Sequence, residues 1–295
     1  MSVNNVNGIF PTVAPDVFET KKGIRFLQSP GVAVMAVPQV NLYGMRGFLS
    51  GFSDELGFRD YLNDPISLTP AETLCKMAGQ LCYFSFGPGR STNVDAGRYF
   101  RSIMESGHGS VLEHASFTVL WWGVSRSLTH ELVRHRAGFG FSQVSQRYVG
   151  EKTLRFVERP EYVDDLFLHE RFMRWIENIN DEYEFRTEYL ISRQREGTEI
   201  LSAERKTDLR KKVRQAARSV LSNETEAPIV VTANVRAWRH FFNMRVSEHA
   251  EVEIRRVGFE TFRCLSVLAP LLFGDFETVH FSDGTHGLKT AYPKV

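Results

Sequence analysis

The apolar positions of the chain change their spacing several times, and each change marks an element. Residues 1–68 carry only short apolar runs such as VAVMAV among Gly, Pro, Asn and Phe. They read as an irregular N-terminal extension with one or two strands, packed on a core formed by residues 69–295. Regular order begins at Thr69-Pro70-Ala71-Glu72, where a Thr cap, a Pro at the first helical position and a Glu three residues on form a capping box. That helix runs to about Leu81, and a second runs from about Asn93 to Glu105, stopped by the glycines of SGHGS. HASFTVLWWG, His114 to Gly123, is β-branched and aromatic and predicts a strand. Ser125 then caps a short helix ending near Arg136, where Gly138 and Gly140 follow.

Further on, Phe167, Phe172, Trp175, Ile176 and Ile179 recur at three- and four-residue spacing inside a charged segment, which predicts a long helix from about Tyr162 to Arg195. Another helix follows from Glu204 to Leu221, and PIVVTA reads as a buried strand over Pro228 to Ala233. A helix from about Arg236 and a long one from His249 to Leu272 come next, with a short strand at Thr278 to Phe281. Strands and helices in this irregular order predict an α+β fold, a central β-sheet flanked by long helices.

Charge and composition narrow the partners. The chain has 295 residues, 42% of them hydrophobic, enough for a sizeable core. Its 36 basic and 35 acidic side chains give a formal net charge of +1, so no global field favours nucleic acid or an anionic membrane. Any anion site must be local. No apolar stretch approaches the roughly 18 residues of a membrane span, and no leader pattern opens the sequence, so the expected location is cytoplasmic. Cys75, Cys82 and Cys264 cannot all pair and show no CxxC spacing; they read as reduced core residues.

Candidate chemistry is concentrated in RHRAGFGFSQVSQRY, Arg134 to Tyr148. Arg134, His135 and Arg136 in the last turn of a helix would offset its dipole, and that alone accounts for many such clusters. Consecutive helical positions nevertheless point about 100° apart, so the three fan out. Two glycines, two phenylalanines and the polar run to Arg147 follow, a mixture suited to a phosphate plus a heterocycle. A second group, Asn234, Arg236, Arg239, His240 and Arg245, opens at a strand-to-helix junction; Arg236 and His240 share a face. A third, His108, Ser110, Glu113 and His114, reads as loop hydrogen bonding rather than a metal site. HELVRH mimics a zinc-protease helix, but its second His stands five residues on and is rotated away, so no metal is expected. Rossmann, P-loop and GxSxG patterns do not occur.

The arginine-histidine-arginine triplet followed by SQRY resembles the signature of the flavin-dependent thymidylate synthases. GHGSVLEHASF, SRSLTHELVRHR, ARSVL, NVRAWRHFFNMR and EHAEVEIRR stand in that family's order across roughly residues 70 to 270. The resemblance implies a homotetramer with active sites at subunit interfaces, binding FAD and dUMP. It implies methylation of uracil carbon 5 to give dTMP, with methylenetetrahydrofolate as carbon donor and NADPH as reductant of the flavin. No enzymic thiol attacks the pyrimidine in that family. Classical thymidylate synthases place a cysteine beside a proline, whereas the cysteines here stand in LCK, LCY and RCL.

By the same resemblance, His108, Ser110, Glu113, Arg134, His135, Arg136, Asn234, Arg236 and His240 are cofactor-binding positions. Glu131, Gln143, Ser145, Gln146, Arg147 and Arg218 are nucleotide-binding positions, and Arg245 is both substrate-binding and catalytic, polarising the uracil. One departure stands out: eight residues, AGFGFSQV, separate Arg136 from Ser145, where the family has seven. The extra residue falls near Ala137-Gly138, where a bulge absorbs it or where it widens the site for a different pyrimidine. Methyl or hydroxymethyl transfer to another pyrimidine nucleotide, and a non-catalytic flavin- or nucleotide-binding relative, remain open at this point.

Overall fold

The computed structural model describes residues 4–5, 10–65, 67–148, 150, 153–195 and 206–295. Its strands are β1 (Asn4–Asn5), β2 (Pro11–Val13), β3 (Val17–Glu19), β4 (Arg25–Leu27), β5 (Gly31–Ala36), β6 (Ser116–Trp122), β7 (Phe139–Gln143), β8 (Phe156–Val157), β9 (Ile229–Asn234), β10 (Glu277–His280) and β11 (His286–Lys289). Its α-helices are α1 (Arg46–Leu49), α2 (Pro70–Cys82), α3 (Ala96–Glu105), α4 (Arg126–Leu132), α5 (Leu166–Arg195), α6 (Lys206–Ala217), α7 (Val235–Arg245), α8 (Val252–Leu268) and α9 (Pro270–Phe273). This is an α+β fold.

The largest sheet has six strands in the order β1-β2-β5-β6-β9-β7. At its centre the antiparallel register pairs Phe117 with Ala233, Val119 with Val231 and Trp121 with Ile229, and all six side chains are buried. Their period of two explains the register: a slip of one residue would turn every one of these groups to the other face. Helices α7 and α8 cover that face. Trp121 meets Trp238 at 6.1 Å and Phe241 at 5.8 Å between ring centroids, and Ile254, Val257 and Leu265 complete the layer. Truncating such a buried aromatic costs about 3–5 kcal/mol.

The N-terminal segment differs from the irregular extension expected of it. β5 is an interior strand between β2 and β6, and Val13, Val32 and Val34 belong to the main core. Each strand is short, and β4 and β5 also pair with the distant β8 and β6, so local spacing carries little sign of them. β3, β4 and β8 form a second sheet, sealed by Phe26, Phe156 and, from α5, Phe172, Ile176 and Ile179.

Several boundaries also shift. α4 ends at Leu132, so Arg134, His135 and Arg136 lie beyond the helix rather than in its last turn. The glycine-interrupted stretch after them is the strand β7, paired with β9 along its whole length. The predicted 249–272 helix is broken at Ala269, φ −147°, because Pro270 disfavours a helical residue before it. Glu204, the expected start of α6, lies outside the described residues. Cys75 and Cys264 are core residues, but Cys82 is exposed. The capping box at Thr69 forms as expected: Thr69 Oγ1 accepts from the Glu72 N–H, and Glu72 returns a bond to the Thr69 N–H at 2.9 Å. Among the described residues no helix is long and apolar enough to cross a membrane.

Candidate active site

β7 is an edge strand of the large sheet, and the candidate residues gather at its two ends. At the first end, residues 136–139 form a turn in which the Phe139 N–H donates to the Arg136 carbonyl at 3.2 Å. Gly138 takes a φ of +75°, and a Cβ there would stand 2.8 Å from the Ala237 Cβ and 3.0 Å from Asn234 Nδ2. Glycine is therefore required by both conformation and space. The extra residue of the eight-residue spacing falls at this turn, and β7 pairs regularly after it.

Helix α7 supplies the facing wall. Asn234 caps it, its Oδ1 accepting the Ala237 N–H at 2.9 Å. Arg236 Nη1 donates to Glu113 at 2.5 Å, and Gly109 lies against the Arg236 guanidinium, so the 109–113 turn that carries Ser110 and Glu113 is held on the helix start. His108 immediately precedes that turn. Glu113, Gly138, Asn234, Arg236, His240 and residues 293–295 line a cleft of about 340 Å³. Arg134 and Arg136 are exposed and have no carboxylate within ion-pair distance among the described residues.

At the other end of α7, Arg245 Nε donates to His135 Nε2 at 2.9 Å, and its Nη1 pairs with Glu131 of α4. The His135 ring lies 5.4 Å from Phe241, 5.9 Å from Phe139 and 6.0 Å from His240. Burial, then the charges of Arg245 and His240, lower its pKa to about 4. It is neutral at pH 7, with Nε2 accepting from Arg245 and the proton left on Nδ1. The segment thus holds two cations and a neutral acceptor, not the three cations its sequence suggests.

The far end of β7 is different. Val144 N–H donates to the Pro228 carbonyl at 2.9 Å, and the chain then turns at Ser145, whose carbonyl accepts the Tyr148 N–H at 3.0 Å. Three buried donor atoms here, Gln143 Nε2, Gln146 Nε2 and Arg147 Nε, have no acceptor among the described residues. Buried donors without partners are costly, which marks this end of β7 as a candidate for contacts from outside the single chain. Arg214 of α6 donates to the Tyr148 carbonyl at 2.7 Å, and Lys211 lies over the Tyr148 ring at 5.2 Å, lowering the phenol's pKa chiefly through its hydrogen bond. Arg218 follows one turn beyond Arg214. Sequence reading singled out Arg218 but missed Lys211 and Arg214; their i, i+3, i+7 spacing puts all three on one helix face and was visible.

Within one chain, then, the structure brings Glu131, His135 and Arg245 together and gathers Glu113, Asn234, Arg236 and His240 around one cleft. It does not bring Gln143, Ser145, Gln146 and Arg147 to the same place, because the four steps of β7 separate the two ends by about 14 Å. Among the described residues no group of three metal-ligating side chains occurs. The thiols of Cys75 and Cys264 are pushed up to about 12, first of all by burial, and are protonated at neutral pH.

The cleft suits an anionic cofactor on two counts: the helix N-terminus and the bare backbone at Gly138. Its volume is at the low end of the range for ligand sites, about 300–1,000 Å³. A family model described as thymidylate synthase complementing protein matches residues 66–271. The chain is 46% identical over 213 residues to a flavin-dependent thymidylate synthase of Mycobacterium tuberculosis strain H37Rv, covering 72% of this chain and 82% of the relative. It is 45% identical over 223 residues to one of Corynebacterium glutamicum, covering 75% and 86% respectively.

Proposed function

The chain belongs to the flavin-dependent thymidylate synthase family, and from that membership and the site geometry we propose how it converts dUMP to dTMP. The reductive methylation draws its carbon from methylenetetrahydrofolate and its reducing equivalents from NADPH by way of FAD. The observation that carries the reading is the contact of Arg245 with His135 and Glu131, which ties the end of α7 to the arginine-histidine-arginine segment.

Bound FAD supplies the hydride; the chain's own residues bind, orient and polarise. Arg134, Arg136, Arg236, Asn234 and His240, with His108, Ser110 and Glu113, hold the cofactor around the cleft. Gln143, Ser145, Gln146, Arg147 and Arg218 hold the nucleotide, the unpartnered donors of Gln143, Gln146 and Arg147 meeting its phosphate. Arg245 is aimed by two acceptors: the neutral His135 takes its Nε–H and Glu131 one Nη–H. Its remaining N–H groups face the uracil carbonyl and stabilise negative charge developing there. Glu131 also reaches the nucleotide, and no thiol takes part.

The two sets of residues stand at opposite ends of β7, which supports a homotetramer in which one subunit's cofactor end meets its partner's nucleotide end. Anaerobic incubation of the protein with NADPH, methylenetetrahydrofolate and dUMP tests the reaction. Thymidylate formed together with flavin reoxidation is the expected result. Flavin oxidation without thymidylate would sink the substrate assignment.

A further inference from the structure

The cleft at the start of α7 has a wall from outside the region that the family model matches. Residues 293–295 line it together with Gly138, Asn234, Arg236 and His240, whereas the family match ends at residue 271. A single buried cation fixes the course of this tail. Arg239, 1% exposed, points away from the cleft; its Nη1 donates to the Leu272 carbonyl at 2.8 Å and to Asp275 at 2.5 Å, and its Nη2 to Asp275 at 2.8 Å. Its Nε donates to the Val295 carbonyl at 3.2 Å. Thr290 donates to the same Asp275, and the Thr290 hydroxyl accepts the Tyr292 N–H at 2.9 Å. Burial pushes the Asp275 carboxyl up, but hydrogen bonds and charge from Arg239, with Thr290, outweigh it and hold the group below its ordinary value. A paired and fully bonded buried charge of this kind resists displacement.

That tail presents Lys294. It is exposed on the cleft wall and has no carboxylate partner among the described residues, while Arg236 in the same cleft is committed to Glu113 at 2.5 Å. The Arg236 and Glu113 charges cancel, so Lys294 is the lysine that brings a positive charge to this cleft beside the N-terminus of α7. We infer that Lys294 is a further cofactor-binding residue that pairs with the diphosphate of FAD in this cleft, and that Arg239 is the positioning residue that presents it. The inference rests on the flavin reading above.

FAD is titrated into the full-length apoprotein by flavin fluorescence at low and high salt, in parallel with riboflavin, which has the ring but no diphosphate. Lys294→Gln weakens FAD binding about tenfold at low salt, the size of one lost charge-assisted bond. Lys294→Glu weakens it more, riboflavin binding does not change, and the FAD deficit shrinks as salt rises. Lys289→Gln, the same charge change on exposed β11, leaves FAD binding as in the wild type. In an Arg239→Lys background, Lys294→Gln costs less than in the wild type, because the tail no longer presents it. Unchanged FAD affinity in both Lys294 variants overturns the inference, and so does an equal loss for riboflavin and FAD. A wild-type protein that takes up no flavin at all removes the underlying reading as well.

Discussion

The two ends of β7 differ in how far one chain completes its own chemistry. At the Arg136 end, α7 and α4 have already met the segment: Arg245 is held by His135 and Glu131, and Arg236 is held by Glu113. At the Gln143 end, three buried donors wait without acceptors. The first end is pre-organised by intramolecular contacts, and the second leaves donors that the described residues do not satisfy. On the function proposed above, the two ends answer to different mutations.

The largest expected effect falls on Arg245. Arg245→Ala is predicted to lower turnover by about 10²–10³, the size of a lost charge-stabilising donor, while FAD remains bound. Normal turnover in that variant would remove Arg245 from the mechanism. Gln146→Ala acts on the other end, raising the KM for dUMP by about tenfold through the loss of one bond to a charged group, with the FAD dissociation constant unchanged. A variant that instead loses FAD would erase the distinction between the ends.

Gly138→Ala probes the turn that makes the first end possible. The φ of +75° and the 2.8 Å approach to Ala237 predict a loss of roughly 1–3 kcal/mol in urea unfolding. Acid is a smaller lever on the same end. His135 titrates near 4 when folded, against an ordinary value of 6.5. The unfolded chain therefore takes up the proton first as pH falls. Stability from this group is complete above pH 6.5 and declines between 6.5 and 4. Because the ring is half-buried, the decline is on the order of 1 kcal/mol after allowance for solvent screening. His135→Gln should flatten that part of the urea-stability profile.

How much of this was legible in the sequence follows from how local each feature is. The capping box at Thr69 and the β-branched or aromatic runs of β6 and β9 are written in adjacent residues, and the structure keeps them. β5 and β7 are not: one is a short run and the other is interrupted by Gly140, and both become strands by pairing with distant partners. In the site, the clustering of Arg134 to Arg136 with Asn234 to Arg245 was readable from the order of the motifs. The neutral state of His135 was not, because it depends on burial and on an arginine 110 positions away. Arg236 and Arg239 look alike in NVRAWRHFFNMR, yet one lines a cleft and the other is buried against Asp275.

The central claim is that the two ends of β7 in one chain serve different active sites. Mixing two inactive variants tests it: Arg136→Gln at one end and Arg147→Gln at the other, unfolded together and refolded so that subunits exchange. The account predicts that the mixture regains thymidylate formation, because some sites then combine an intact cofactor end from one subunit with an intact nucleotide end from its partner. A mixture as inactive as either variant alone would mean that both ends of one β7 serve the same site, and would contradict the account.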